Sequence, residues 1–361
     1  MQYTFLSPQN RLLKLTDCFW SISLSSAISF GKWIVIILTP IVFIYGFIPF
    51  LIFCFPAFMH HIFFLNFVKV PFRNYNNLSV YGVKSLGRNF YVESRDGVHL
   101  GCWHILPSSL SSTLSNVEVT DESMERSMMT SDFPIVVYLH GNSFDRSTGH
   151  RIDLYNVLSD MDFHVIAVDY RGYGDSTGFP TEIGVVQDAK QVFRYVKKLA
   201  GNNDVFIWGH SMGTGVASAA VMELCESHMA PDGLILESAF NNLRDVITFH
   251  PFAAPFRWLP CFDDILLHPF ENSGLNMSSD LRIARVSCPI LILHAEDDHI
   301  IPSKLGRRLR DAAIAARRDV TYVEFEAKRQ FKHKYIYMAD ELPSIITSFV
   351  DKCKRKQRSE L

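Results

Sequence analysis

An excess of either charge is missing from this chain, in which 35 Lys plus Arg stand against 37 Asp plus Glu for a net charge of −2. Such a balance gives no basic field to collect a polyanion, which argues against nucleic acid as a partner. Cysteine is sparse, seven among 361 residues. That is too few for a disulfide scaffold, and the absence of a CxxC or Cys/His cluster removes the usual zinc ligands. Charged residues make up only 20% of the chain against 48% hydrophobic ones, which excludes a disordered tail. Charge is lacking most of all between Lys32 and Lys69, where no Asp, Glu, Lys or Arg occurs.

What fills that gap is lipid-like. Residues 34–58 read IVIILTPIVFIYGFIPFLIFCFPAF, more than the about 20 helical residues that cross a bilayer core of about 30 Å. A cleaved signal peptide would have a shorter apolar core nearer the start. We expect one transmembrane anchor over 33–58, although Pro40, Pro49 and Pro56 would kink it or permit a hairpin. Arg11, Lys14 and Lys32 precede the span and Lys69 and Arg73 follow it, a slight bias toward a cytosolic 1–32 segment. Two sequons, at Asn77 and Asn276, agree with a lumenal C-terminal part. The final KCKRKQRSEL reads as a solvated helix end.

Beyond residue 85, short β-branched and aromatic runs alternate with amphipathic stretches, the pattern of a mostly parallel sheet covered by helices. The strands expected are 89–94 and 98–106 as an antiparallel pair, then 135–139, 164–168, 205–208, 234–236, 290–293 and 321–325. Eight strands over this length predict a single α/β domain spanning 85–353. Residues 107–132 are Ser/Thr-rich without periodicity and read as a flexible surface insertion. Residues 240–287, rich in aromatics and prolines, read as a lid whose apolar walls suit an acyl chain.

The chemistry concentrates at Gly209-His210-Ser211-Met212-Gly213, between the strand VFIW and the helical TGVASAAVMELCE. G-x-S-x-G at a strand-to-helix turn is a nucleophile elbow, whose strained serine needs small neighbours to expose its Oγ. A serine hydroxyl needs a base, and the base an acid, in the chain order Ser, Asp or Glu, His. Of the histidines beyond the candidate acids, His299 adjoins the acidic cluster and His333 lies after the last strand. His333 is therefore the expected base. After the strand ILIL, Glu296-Asp297-Asp298 offers three carboxylates, of which Asp298 is favoured because Ile300 and Ile301 can anchor its loop. Asp297 stays the alternative; Asp169 and Glu237 read as structural. The oxyanion hole is expected from the backbone N–H groups of Met212 and Asn142, the latter in His140-Gly141-Asn142-Ser143. His140 reads as a loop brace, and His140 to Asp145 also matches the H-x4-D pattern of some acyltransferases. Arg244 and Arg257 are candidates for a phosphate-bearing headgroup, or plain surface charges. This constellation needs no metal or organic cofactor.

With those motifs in place, residues 85–353 resemble the membrane-anchored α/β-hydrolase-domain serine lipases, the group that includes the lysophosphatidylserine lipases. The likeness rests on YLHGN at 138–142, DYRGYGDS at 169–176, WGHSMGTGVA at 208–217, LILESAF at 234–240, LILHAEDD at 291–298 and HKYIY at 333–337. It implies the α/β-hydrolase fold and a Ser211, Asp298, His333 triad. It further implies a lysophosphatidylserine and monoacylglycerol substrate class, and an endoplasmic reticulum membrane protein with a lumenal catalytic domain. An acyltransferase or thioesterase with the same triad, or a non-catalytic membrane protein of this fold, is the alternative.

Overall fold

The computed structural model describes residues 32–55, 58–114 and 120–360; the expected cytosolic segment before Lys32 lies outside them. An apolar helix, Lys32–Ile52, runs for 21 residues at a mean hydropathy of 2.5, enough by length and composition to cross a membrane. The anchor expected over 33–58 ends sooner. Phe55, which precedes Pro56, leaves helical geometry at φ −131°, ψ 66°, as the residue before a proline does. The chain divides into compact units at this point, and the larger runs Pro56–Leu361.

In that unit, eight strands among the described residues form one sheet: β1 (Gly87–Glu93), β2 (His99–Ile105), β3 (Ile135–Leu139), β4 (His164–Val168), β5 (Val205–His210), β6 (Gly233–Glu237), β7 (Ile290–Ala295) and β8 (Val320–Phe325). Their spatial order is β1-β2-β4-β3-β5-β6-β7-β8. β2 runs antiparallel to both neighbours, and β3 through β8 are parallel. Each residue of β3, β4, β5 and β6 is buried, which is why these strands read as unbroken apolar runs rather than alternations. The register sets Leu139 beside Gly209 and His210 beside Glu237. The loops after β3, β5 and β6 therefore emerge together at the carboxyl edge, where α/β sheets bind their ligands.

The helices used below are α1 (Phe58–Phe64), α2 (Ser108–Leu114), α3 (Asp121–Thr130), α4 (Gly149–Asp160), α5 (Glu182–Leu199), α6 (Met212–Glu226), α7 (Leu243–Phe249), α8 (Ser303–Ala315) and α9 (Leu342–Glu360). Two expectations are corrected here. The domain does not start at 85, because Tyr75, Leu78 and Val83 are buried in the core with Trp103 and Tyr138. Nor is the insertion expected at 107–132 without regular structure, since 108–114 form α2 and 121–130 form α3. Thr120 caps α3 in a reciprocal box with Ser123, Met124 and Met128 are buried one turn apart, and Glu125 accepts from Arg88 Nη2 at 3.0 Å and Tyr195 Oη at 2.6 Å. A stripe of two methionines is too narrow to stand out as periodicity. Residues 240–287 form α7 and several short helical turns.

Candidate active site

Ser211 stands between the last residue of β5 and the first of α6 at φ 55°, ψ −121°. This is a strained conformation for a side-chain-bearing residue. It persists because its neighbours fix it. The Ser211 N–H donates to Glu237 O at 3.0 Å, while Thr214 N–H and Oγ1–H donate to Ser211 O at 2.8 and 2.7 Å. The flanking glycines are sterically required: a Cβ at Gly209 would run into the Gly213 backbone, and one at Gly213 into the Leu139 carbonyl.

The loops after β7 and β8 supply the partners. His333 Nε2 lies 2.9 Å from Ser211 Oγ, and His333 Nδ1 lies 2.7 Å from Asp298 Oδ2. This spacing fits an Nδ1–H donated to the carboxylate and an Nε2 lone pair accepting the serine proton. Asp298 Oδ1 accepts the N–H groups of Ile300 and Ile301 at 2.9 and 2.8 Å. Burial by itself would raise the Asp298 carboxyl, but the charge and hydrogen bond of His333, with His294 close by, outweigh it, holding it well below the carboxylate range. Asp297 has another task, accepting Lys332 N–H at 3.0 Å. That bond ties the histidine loop to the acid loop. Ser211, Asp298 and His333 are 8%, 5% and 6% exposed, so the three groups interact with little water to screen them.

On the oxyanion side, Gly141 passes so close that a Cβ there would lie 3.3 Å from Ser211 Cβ. Asn142 is braced by its side chain, whose Nδ2–H donates to Phe63 O at 3.0 Å, and its carbonyl lies 3.2 Å from Tyr173 Oη, whose proton goes to Phe64 O. The backbone N–H groups of Asn142 and Met212 have no hydrogen-bond partner among the described residues. Two N–H donors flanking a serine suit a developing oxyanion, and the start of α6 adds its positive dipole end.

Three supports escaped the sequence reading. His210 Nε2–H donates to His333 O at 2.9 Å, so the variable position of the elbow holds the histidine loop. His294 Nε2–H donates to Ile301 O at 2.9 Å and stands 3.6 Å from Asp298 Oδ2. Helix α1 carries the carbonyl that fixes Asn142. No spacing rule identifies these contacts, because each joins segments distant in the chain. The brace at His140 is buried, with Nδ1–H donating to Gly141 O at 2.6 Å and Nε2 standing 3.2 Å from Asp169 Oδ1. Asp145 instead accepts from Arg73 at 2.9 Å, so the two ends of H-x4-D face different partners. Asn77 and Asn276 are exposed. Arg244 is paired with Asp263 at 2.6 Å and Glu271 at 3.2 Å.

Comparison with known proteins gives the chain its relatives. A family model described as serine aminopeptidase, S33, matches residues 132–268. The chain is similar to the lysophosphatidylserine lipase ABHD12 of Rattus norvegicus, at 41% identity over 86% of this chain and 78% of that protein. For the same lipase of Macaca fascicularis the identity is 41% over 89% of this chain and 82% of that one. Among solved structures it is similar to an alpha-beta hydrolase of Vibrio vulnificus, with TM-score 0.60 and 18% identity over 80% of this chain and 92% of that one. An esterase of Pyrococcus furiosus gives TM-score 0.56 and 17% identity over 79% of this chain and 97% of that one. At such identity the structural likeness concerns the fold.

Proposed function

The chain belongs to the lysophosphatidylserine lipase family of α/β-hydrolases and is a carboxylic ester hydrolase, and from that premise we propose that it cleaves the acyl esters of lysophosphatidylserine and monoacylglycerols with Ser211, His333 and Asp298. The observation that carries this reading is the continuous chain from Ser211 Oγ to His333 Nε2 at 2.9 Å and from His333 Nδ1 to Asp298 Oδ2 at 2.7 Å.

In the first half-reaction His333 takes the Ser211 proton as Oγ attacks the ester carbonyl. The N–H groups of Met212 and Asn142 receive the charge that gathers on the carbonyl oxygen. His333 then protonates the departing glycerol or glycerophosphoserine oxygen, leaving an acyl-enzyme. In the second half it deprotonates water, which releases the fatty acid. Asp298 stays ionised throughout and orients the imidazole. The apolar helix Lys32–Ile52 anchors the chain in the endoplasmic reticulum membrane with the catalytic unit lumenal, so substrate arrives from the bilayer under the lid formed by residues 240–287.

The test is fatty-acid release by detergent-solubilised full-length protein from lysophosphatidylserine and monoacylglycerol beside the Ser211→Ala variant. Release from both lipids that falls to background in the variant is the expected result. Release that survives in the variant would refute Ser211 as the nucleophile.

A further inference from the structure

We propose that Arg151 is a positioning residue for the oxyanion side of the reaction: its buried guanidinium holds the loop that carries the Asn142 N–H and keeps a positive charge there that only the transition state matches. The assignment rests on the reading of Ser211 as the nucleophile. Arg151 lies in the first turn of α4 and is 2% exposed. Its Nη1–H donates to Asp145 O at 2.6 Å and its Nη2–H to Ser143 O at 2.7 Å. Ser143 follows Asn142, so the fork grips the loop one residue past the oxyanion donor. On the other side, His140 Nδ1–H holds Gly141 O at 2.6 Å, and the Asn142 side chain is tied to Phe63 O at 3.0 Å. A Cβ at Gly141 would lie 3.3 Å from Ser211 Cβ, so a shift of this loop is a shift of the donor against the nucleophile. The same turn of α4 also meets the elbow. The His150 ring centre lies 5.8 Å from that of His210, which lies 5.1 Å from that of His333.

What distinguishes Arg151 is the lack of a counter-charge. Arg146, the other buried arginine beside this loop, is neutralised by Asp169 and Asp175. Arg151 forms no ion pair with a carboxylate among the described residues, and its Nε–H is buried without a partner. Asp145 stands close enough to give Arg151 its main-chain oxygen, yet turns its carboxylate to Arg73 Nη1 at 2.9 Å and to the N–H and Oγ–H of Ser147 at 2.9 and 2.5 Å. A guanidinium held by carbonyl oxygens alone keeps its full charge, and an unpaired buried charge is costly. A carboxylate beside it would relieve that cost and cancel the field that a developing oxyanion feels. In the resting enzyme the charge is unmatched; when the ester carbonyl oxygen becomes an oxyanion, negative charge gathers against the loop that the guanidinium holds. With little water to screen it, such a charge acts beyond contact distance. An interaction stronger in the transition state than in the ground state raises kcat and leaves KM alone.

The experiment follows hydrolysis of p-nitrophenyl butyrate by full-length protein in neutral detergent micelles, for wild type, Arg151→Gln, Arg151→Lys and Ser211→Ala. Rates are referred to the sites that a fluorophosphonate labels at completion, which removes any misfolded fraction. Arg151→Gln should lower kcat per labelled site about 10- to 100-fold with KM little changed. Arg151→Lys, which keeps the charge and loses the fork, should fall between that variant and wild type. Inhibition by butylboronic acid gives a readout that a merely structural role would not move. Ser211 Oγ bonds to boron as its proton passes to His333, and the product is a tetrahedral anion resembling the transition state. Its inhibition constant should rise in Arg151→Gln by about the factor lost from kcat/KM. An unchanged kcat per labelled site, or a loss carried by KM with the boronate bound as tightly as by wild type, would overturn the role of Arg151. Where Arg151→Gln yields no folded protein, Arg151→Lys decides by the same two measures: a fall in kcat matched by weaker boronate binding supports the role, and neither change overturns it. Hydrolysis that survives in Ser211→Ala would instead overturn the nucleophile, and the role of Arg151 with it.

Discussion

Asp298 is nearly buried, yet its carboxylate is saturated with donors, taking two backbone N–H groups on Oδ1 and the imidazole on Oδ2. Its charge is what keeps His333 in the tautomer that can receive a serine proton. Asp298→Asn keeps the shape and removes the charge, and a carboxamide can present its NH2 to Nδ1, which favours the wrong tautomer. We expect kcat to fall by about 10³- to 10⁴-fold with the melting temperature little changed; a loss below tenfold would move the acid's role elsewhere. Glu237 titrates the other way. Its burial raises the carboxyl to about 7, against the hydrogen bond from Trp208 and with a smaller contribution from the Asp298 charge. Between the ordinary carboxyl value and about 7 the folded chain keeps a proton that the unfolded chain has released, so stability falls as pH rises through that window. Glu237→Gln retains an acceptor for Trp208 Nε1–H at that position and cannot ionise. Thermal unfolding in detergent from pH about 5 to about 8 should show wild type losing stability more steeply than the variant. Parallel pH profiles would contradict the raised carboxyl.

At the scale of elements, the site depends on loops held by buried charge. Arg146, fully buried, follows the oxyanion loop after β3; its Nη1 donates to Asp169 Oδ2 at 2.5 Å and Asp175 Oδ1 at 2.8 Å, and its guanidinium lies 4.1 Å from the centre of the Tyr75 ring. Asp169, at the end of β4, also accepts Arg146 N–H at 2.7 Å. Asp169→Ala leaves a buried guanidinium short of a counter-charge and should cost about 3–5 kcal/mol, read as a drop in the denaturation midpoint. A change under about 1 kcal/mol would mean that Asp175 suffices. The sequence reading took Asp169 as structural without finding Arg146, for a physical reason. Strands bury whole runs, so β3 to β7 stand out in the chain, and the elbow is defined by glycines whose Cβ atoms would collide with backbone. The acid and base follow from chain order. By contrast, α3 buries only two methionines and a serine, too few to register, and α1 joins the site through carbonyls of Phe63 and Phe64, which any residue type could supply. Contacts made by backbone atoms leave no mark on composition.

At the scale of the whole molecule, the chemistry and the membrane reading are independent. The triad would operate on either side of a bilayer, whereas the apolar helix Lys32–Ile52 fixes neither the compartment nor the direction of the chain. Occupied sequons would decide the side, because an oligosaccharide reaches asparagine only in the lumen. Asn77 and Asn276 are exposed, and in each the following serine hydroxyl donates to the asparagine Oδ1, Ser79 at 2.7 Å and Ser278 at 2.5 Å. They also lie far apart in the chain, on either side of the elbow, so occupancy of both would place the catalytic unit as one body. Full-length protein expressed in cells should therefore lose apparent mass on treatment with an amidase that removes N-glycans. Asn77→Gln and Asn276→Gln should each remove part of that shift, and the double variant all of it. Protein that runs identically before and after treatment, while remaining membrane-bound and active, would withdraw the support that the sequons give to a lumenal catalytic unit. The slight excess of basic residues before the span would then be the one remaining sign of direction.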